Sequence, residues 1–203
     1  LDVKCGSGAF MQSMGRAEEL AKSLTEVGNG AGLEIETHIT DMSQPLGNKV
    51  GNALEVEEAI DCLKGGGPKD LRDIVVLLSG CGEQAREILD SGAAYPRWRK
   101  LVRAHGGDPD AELLGGSCRT EVIEAQETGL LTRCDAGDIG RCAHRLGAGR
   151  EKAGEPVHFG VGVELHAKRG EPVRKGQPLA TIYHSGQGLS DAREYLSTAF
   201  MFE

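Results

Sequence analysis

Two stretches and one grouping have residue types and spacing that could do chemistry. In "QPLGNKVGNALEVEEA" (44–59) a turn at Pro45-Leu46-Gly47 exposes carbonyl oxygens, and an acidic helix follows at once. Backbone carbonyls plus one carboxylate suit a hard, weakly charged cation. The plainer reading is a helix start with a solvated acidic face, because charge runs usually face water. In "GSGAFM" (6–11) a Gly-Ser-Gly turn between a strand and a helix can offer bare N–H groups to an anion. Met11 stands where a GxGxxG pattern needs its third Gly, so the segment reads first as a tight turn. Cys134, Cys142 and His144 have a C-x7-C-x-H spacing that matches no standard zinc knuckle. Cys142 also falls on the apolar face of its helix, which predicts core packing. The six histidines are dispersed, and no Ser/His/Asp set can be drawn from their spacing.

The elements that must position these residues follow from periodicity. Asp2-Val3-Lys4 looks like a strand end. Ala17, Leu20, Ala21, Leu24 and Val27 have helical spacing, with Glu18 and Lys22 as an i,i+4 pair and Gly28 as a stop. "LEIETHITDM" (33–42) alternates as a strand does. "SQPLGNKVGN" (43–52) reads as a turn-rich connector. A helix from about Asn52 to Lys64 carries Val56, Ala59, Ile60 and Leu63 as its apolar stripe, with Glu55, Glu57, Glu58 and Asp61 on its polar side. Further helices are predicted at 70–78, 83–89 and 96–105. Strand and helix in alternation imply an α/β unit with parallel strands. After about residue 107 the character changes. Residues 120–135 read as strand, Gly-turn, strand. Residues 136–149 hold a short helix with Ile139, Cys142, Ala143 and Leu146 on one face. Residues 161–185 are β-like, 188–197 helical, and the last five residues a strand. The boundary divides the chain into 1–109 and 110–203.

The chain has 203 residues, 39% of them apolar and 27% charged, with a net charge of −8. An acidic balance argues against nucleic acid as a partner, because a phosphate backbone wants a basic stripe. No apolar run approaches a membrane span, and the first residues do not read as a targeting segment. Six cysteines without a CxxC pair read as reduced thiols in the cytosol.

"GEPVRKGQPLATI" (170–182) resembles the turn of biotinyl and lipoyl barrels. Lys168, Arg169 and Lys175 lie near turns, but the tripeptide that carries the modified Lys is missing. Taken together, "LDVKCGSGAFM", "ITDMSQPLGNKVGNALEVEEAIDCLKGGGPKDLRD", "AHGGDP", "LGAGR" and "PVRKGQPLATIYHS" resemble, in order, the pyrimidine-nucleoside phosphorylases, thymidine phosphorylase among them. The resemblance covers essentially the whole chain and implies the C-terminal portion of such an enzyme, with Leu1 inside a central strand. The implied fold is a partial parallel-sheet α/β domain (1–109) followed by an α+β barrel-sandwich or hammerhead-like domain (110–203). The implied reaction is phosphorolysis of thymidine or uridine, with phosphate as co-substrate. The implied monovalent cation is potassium, held by main-chain carbonyls of Leu46 and Lys49 and by Glu58. Phe10 corresponds to an apolar residue near the pyrimidine. The family's phosphate loop and catalytic groups lie upstream, so no catalytic residue is expected here and the isolated chain is expected to be inactive. By the same resemblance the full enzyme is a cytoplasmic homodimer. His158 departs from the family by standing where an Asp is usual, and the passage after "LLSG" is shorter. The rival readings are a non-catalytic carrier, binding or structural module built on 110–203, and a phosphoribosyl-transferring relative, which would lack the "RKGQPL" segment.

Overall fold

A computed structural model describes residues 1–114 and 118–203. The expected parallel unit is present as β1 (Asp2–Cys5), α1 (Met14–Gly30) and β2 (His38–Asp41), with Val3 opposite Ile39. The strand predicted over 33–42 is confined to its last part, because β1 offers partners only from Asp2 to Cys5. In α1 Lys22 pairs with Glu26 at 3.8 Å, not with Glu18, and both side chains are exposed, so the pair contributes little.

The stretch read as a connector contains a strand, β3 (Lys49–Gly51). Three residues carry too little pattern to announce a strand, and it is the distant partner β6 (Gly162–Leu165) that makes them one. Helices α2 (Asn52–Leu63), α3 (Lys69–Leu78), α4 (Glu83–Asp90) and α5 (Ala94–Ala104) follow. Helix α2 is rotated from the expected stripe. Its buried residues are Ala53, Leu54, Glu58 and Cys62, while Val56 is exposed.

The second half holds β4 (Arg119–Glu124), β5 (Gly129–Cys134), α6 (Ala136–Ala143), a π-turn continuing α6 over His144–Ala148, then β6, β7 (Pro172–Val173), β8 (Pro178–His184), α7 (Leu189–Ala199) and β9 (Phe200–Phe202). β4 and β5 exist as expected but do not pair with each other. β4 pairs with β8, and β5 pairs with β7 and β9. The result is two antiparallel sheets, ordered β3-β6-β8-β4 and β7-β5-β9, which do not close into one barrel among the described residues. The molecule is a mixed α/β fold with parallel and antiparallel sheets.

The core lies between these sheets and α6 and α7. Leu131, Ile139, Leu146, Val163, Ile182 and Leu196 are buried there, with Cys134 and Cys142 packed among them. Helix α6 starts at Asp135, whose carboxylate accepts the Asp138 N–H at 2.9 Å, a standard N-cap. Burial pushes the thiols of Cys134 and Cys142 up to about 12. They are core residues, as the spacing predicts.

β3 meets β6 at two glycines. Gly51 and Gly162 are opposite each other at φ +149° and +156°. A Cβ at Gly162 would run into the Val50 carbonyl oxygen, and one at Gly51 would stand 2.5 Å from that of Val161. Gly162→Ala is therefore expected to cost roughly 2–4 kcal/mol from backbone strain and overlap. Gly140→Ala, on the exposed side of α6 with nothing near the new methyl, should stabilise by about 0.5–1 kcal/mol. Denaturant unfolding of both variants checks the pair. In the folded protein, iodoacetamide at mildly alkaline pH should label the exposed Cys81 and spare Cys134 and Cys142, which react only on unfolding. Mass spectrometry of the labelled peptides reads this out.

Candidate functional site

The turn 43–49 passes between α2, α3 and the loop after β6, and nearly every polar group around it has a partner. Its entry is held at Asp41, which accepts the Ser43 N–H at 2.8 Å and the Arg169 guanidinium at 2.9 Å. Burial pushes the Asp41 carboxyl up, but the bonds from Ser43 and the Arg169 charge outweigh it and hold it below its usual range. The Arg169 N–H donates to the Gln44 side-chain oxygen at 3.2 Å. The Ser43 carbonyl accepts the Ala136 N–H at 3.2 Å.

In the middle of the turn two carboxylates receive successive N–H groups. Asp70 of α3 accepts from Gly47 at 3.2 Å, and Glu58 of α2 accepts from Asn48 at 2.8 Å. The second oxygen of Glu58 lies against Gly47, where any side chain would displace it. Glu58 is only 6% exposed. Burial raises its carboxyl above the usual range. The N–H groups of Asn48 and Lys49 and the charges of Lys49 and Lys168 pull the other way without offsetting burial. A buried carboxylate in this condition is stabilised by a further positive charge.

The β3 register directs the carbonyls. The Leu165 N–H donates to the Asn48 carbonyl at 2.7 Å, while the Asn48 N–H goes to Glu58, so one of the two possible bonds of this pair is made. Lys49, opposite Glu164, is then a non-hydrogen-bonded position. Its N–H reaches Glu58. The Lys49 side chain is occupied by an ion pair with Glu57. Leu46, Lys49 and Glu58 line one cavity of about 360 Å³. The structure thus brings the three predicted cation residues together. Two carbonyls and a buried carboxylate are oxygen donors of the kind a hard cation takes.

Phe10 stands apart from them. It is 98% exposed and lines a different cavity, of about 530 Å³, with Val3, Met11, Leu20 and Leu24. Lys4, at the end of β1, borders both cavities. The Gly-Ser-Gly turn does not present an anion nest. The N–H of Gly6 donates to Met11, that of Gly8 to Met42 and that of Ala9 to Gly6.

The other chemistry-bearing residues are placed in structural roles. His38 contacts Glu36 at 3.1 Å, His166 bonds Thr181 at 2.7 Å, and the His144 ring faces the Arg150 carbonyl at 3.2 Å. Among the described residues no three His, Cys, Asp or Glu side chains group as a metal site. Lys168 has a largely buried side chain ion-paired to Asp70, which does not suit a swinging arm, whereas Lys175 is exposed. The roles of Asp70, Lys168 and Arg169 at the turn had no local signal, because their partners lie far away in the chain. The burial of Glu58 left none either, because helical spacing puts it on the polar side of α2 and only the family resemblance singled it out.

Residues 130–203 match the family model described as the pyrimidine nucleoside phosphorylase C-terminal domain. The thymidine phosphorylase of Mycobacterium tuberculosis is 44% identical over 191 residues, which covers 90% of this chain and 44% of that protein. The pyrimidine-nucleoside phosphorylase of Bacillus subtilis is 37% identical over 209 residues, covering 94% of this chain and 48% of that protein. That of Staphylococcus aureus is 37% identical over 217 residues, covering 98% and 50%. The chain spans about half the length of the curated relatives it matches. Over nearly all of its length the chain is similar to the thymidine and pyrimidine-nucleoside phosphorylases, and its residues 130–203 match the model of that family's C-terminal domain.

Proposed function

We propose that this chain serves a pyrimidine-nucleoside phosphorylase, a pentosyltransferase, and that its contribution is a potassium-holding turn. In the reaction a phosphate oxygen forms a bond to the anomeric carbon of thymidine or uridine. The bond from that carbon to the base nitrogen breaks, its electron pair leaves with the base, and the base gains a proton. The products are free base and pentose 1-phosphate. Catalysis of this kind rests on positioning and on stabilising an oxocarbenium-like transition state. No residue of this chain is assigned to attack, to proton transfer or to phosphate binding.

The observation that carries the reading is the oxygen cluster of the turn. The carbonyls of Leu46 and Lys49 and the carboxylate of Glu58 would hold the ion, and the raised carboxyl of Glu58 favours a positive charge beside it. When bound, the ion supplies that charge and fixes the turn without proton chemistry. Phe10 would face the pyrimidine from the rim of the larger cavity, where its full exposure leaves it free to meet a ligand. Two units, 1–109 and 110–203, the second of barrel-sandwich or hammerhead type, a homodimeric assembly and a cytoplasmic setting belong to the same reading. No described helix is long and apolar enough to cross a membrane. The carrier reading of 110–203 has less support, since Lys168 is held in an ion pair.

The test is phosphate-dependent release of thymine from thymidine and of uracil from uridine. The chain as given should release neither. Co-expressed with the N-terminal half of the Mycobacterium tuberculosis relative, it should release base in a phosphate- and potassium-dependent way. Glu58→Gln should raise the potassium requirement on the order of ten- to a hundredfold. Base release by the chain alone would overturn the absence of catalytic groups, and no release in either arrangement would overturn the phosphorylase reading.

A further inference from the structure

The turn that carries the Leu46 carbonyl is oriented by a charge pair that reaches across the chain. Asp70 Oδ2 accepts the Gly47 N–H at 3.2 Å, and the Lys168 ammonium pairs with the same oxygen. The peptide between Leu46 and Gly47 is planar and trans. Its C=O therefore points opposite to its N–H. Fixing the Gly47 N–H on Asp70 aims the Leu46 carbonyl away from α3. Asp70 and Glu58 line separate cavities, and Leu46 lines both. The next N–H along the turn, that of Asn48, goes to Glu58.

Lys168 is well placed to hold Asp70 in that role. Its side chain is 15% exposed, against 37% for Asp70. The next residue, Arg169, holds Gln44 and Asp41 at the entry of the same turn. One loop after β6 therefore grips the turn at its start and at its middle, while β6 itself takes the Asn48 carbonyl. We propose that Lys168 and Asp70 are positioning residues for the cation site, setting the direction of the Leu46 carbonyl without touching the ion. The proposal rests on the reading of Leu46, Lys49 and Glu58 as cation ligands.

The experiment titrates the 203-residue chain with potassium chloride, holding ionic strength constant with choline chloride, and follows the thermal unfolding midpoint. Wild type should gain stability with potassium, and Glu58→Gln should lose that gain. Lys168→Met and Asp70→Asn should each need on the order of tenfold more potassium for half the gain. Lys168→Arg, which keeps the charge, should recover most of it. Arg193→Met, which breaks an ion pair with Glu121 elsewhere, should leave the potassium dependence at the wild-type value. If Lys168→Met does not fold, Asp70→Asn decides, since it removes the charge that pairs with Lys168 and fixes the side-chain oxygen on the Gly47 N–H. Wild-type half-saturation in Asp70→Asn and in any folded Lys168→Met would overturn the positioning proposal while leaving the cation site standing. No potassium response in folded wild type would overturn the cation site itself, and the positioning role with it.

Discussion

Three residues, Lys49 to Gly51, decide how the two halves of this chain meet. They form the edge strand of a sheet whose other members all come from the second half. The contact tolerates no side chain at its crossing point, because Gly51 and Gly162 bring the two backbones together at a distance only glycine permits. Everything at the turn follows from that seam. It sets which peptide groups of β3 face β6 and which face α2. It brings the loop carrying Lys168 and Arg169 against α3 and the end of β2. It places Glu58 under the turn, where burial alone would penalise its charge.

The electrostatics around the seam are arranged in two grades. On the outer side, Asp41 is paired with Arg169, and its carboxyl sits below its usual range. On the inner side, Glu58 has only N–H groups and more distant ammonium charges, and its carboxyl sits above the usual range. Two carboxylates that hold one turn, Asp41 from β2 and Glu58 from α2, thus have opposite shifts, and the difference comes from direct pairing against burial. Asp41 fastens the turn at its entry, and Glu58 receives its N–H groups from within.

Much of this was legible where the pattern is local. The α6 stripe of Ile139, Cys142, Ala143 and Leu146 reads from helical spacing, and the structure buries all four. The carbonyl-rich turn at Pro45-Leu46-Gly47 reads from turn chemistry. What could not be read depends on partners remote in sequence. β3 is a strand only because β6 lies beside it. β4 and β5 look like neighbours across a Gly-turn, yet each pairs with strands that come much later. Lys168 and Asp70, 98 positions apart, are of the same types as any solvated surface charges. Helix α2 misled for a different reason. Its apolar residues allow two faces, and tertiary contact with the turn chose the one that buries Glu58.

The seam also has a consequence in time. β3 is made long before β6, so during synthesis it must wait without a partner while the helices that follow it form. Loop-closure entropy makes so distant a pairing a late event, and contacts of high sequence separation slow folding. The pairings of β8 with β6 and with β4 close shorter stretches of chain than the pairing of β3 with β6, so the same entropy argument places β3 after them. The backbone direction at Lys49 is therefore set by a contact between parts of the chain far apart in sequence, so the turn is tied to the second half of the chain as firmly as to its own neighbours.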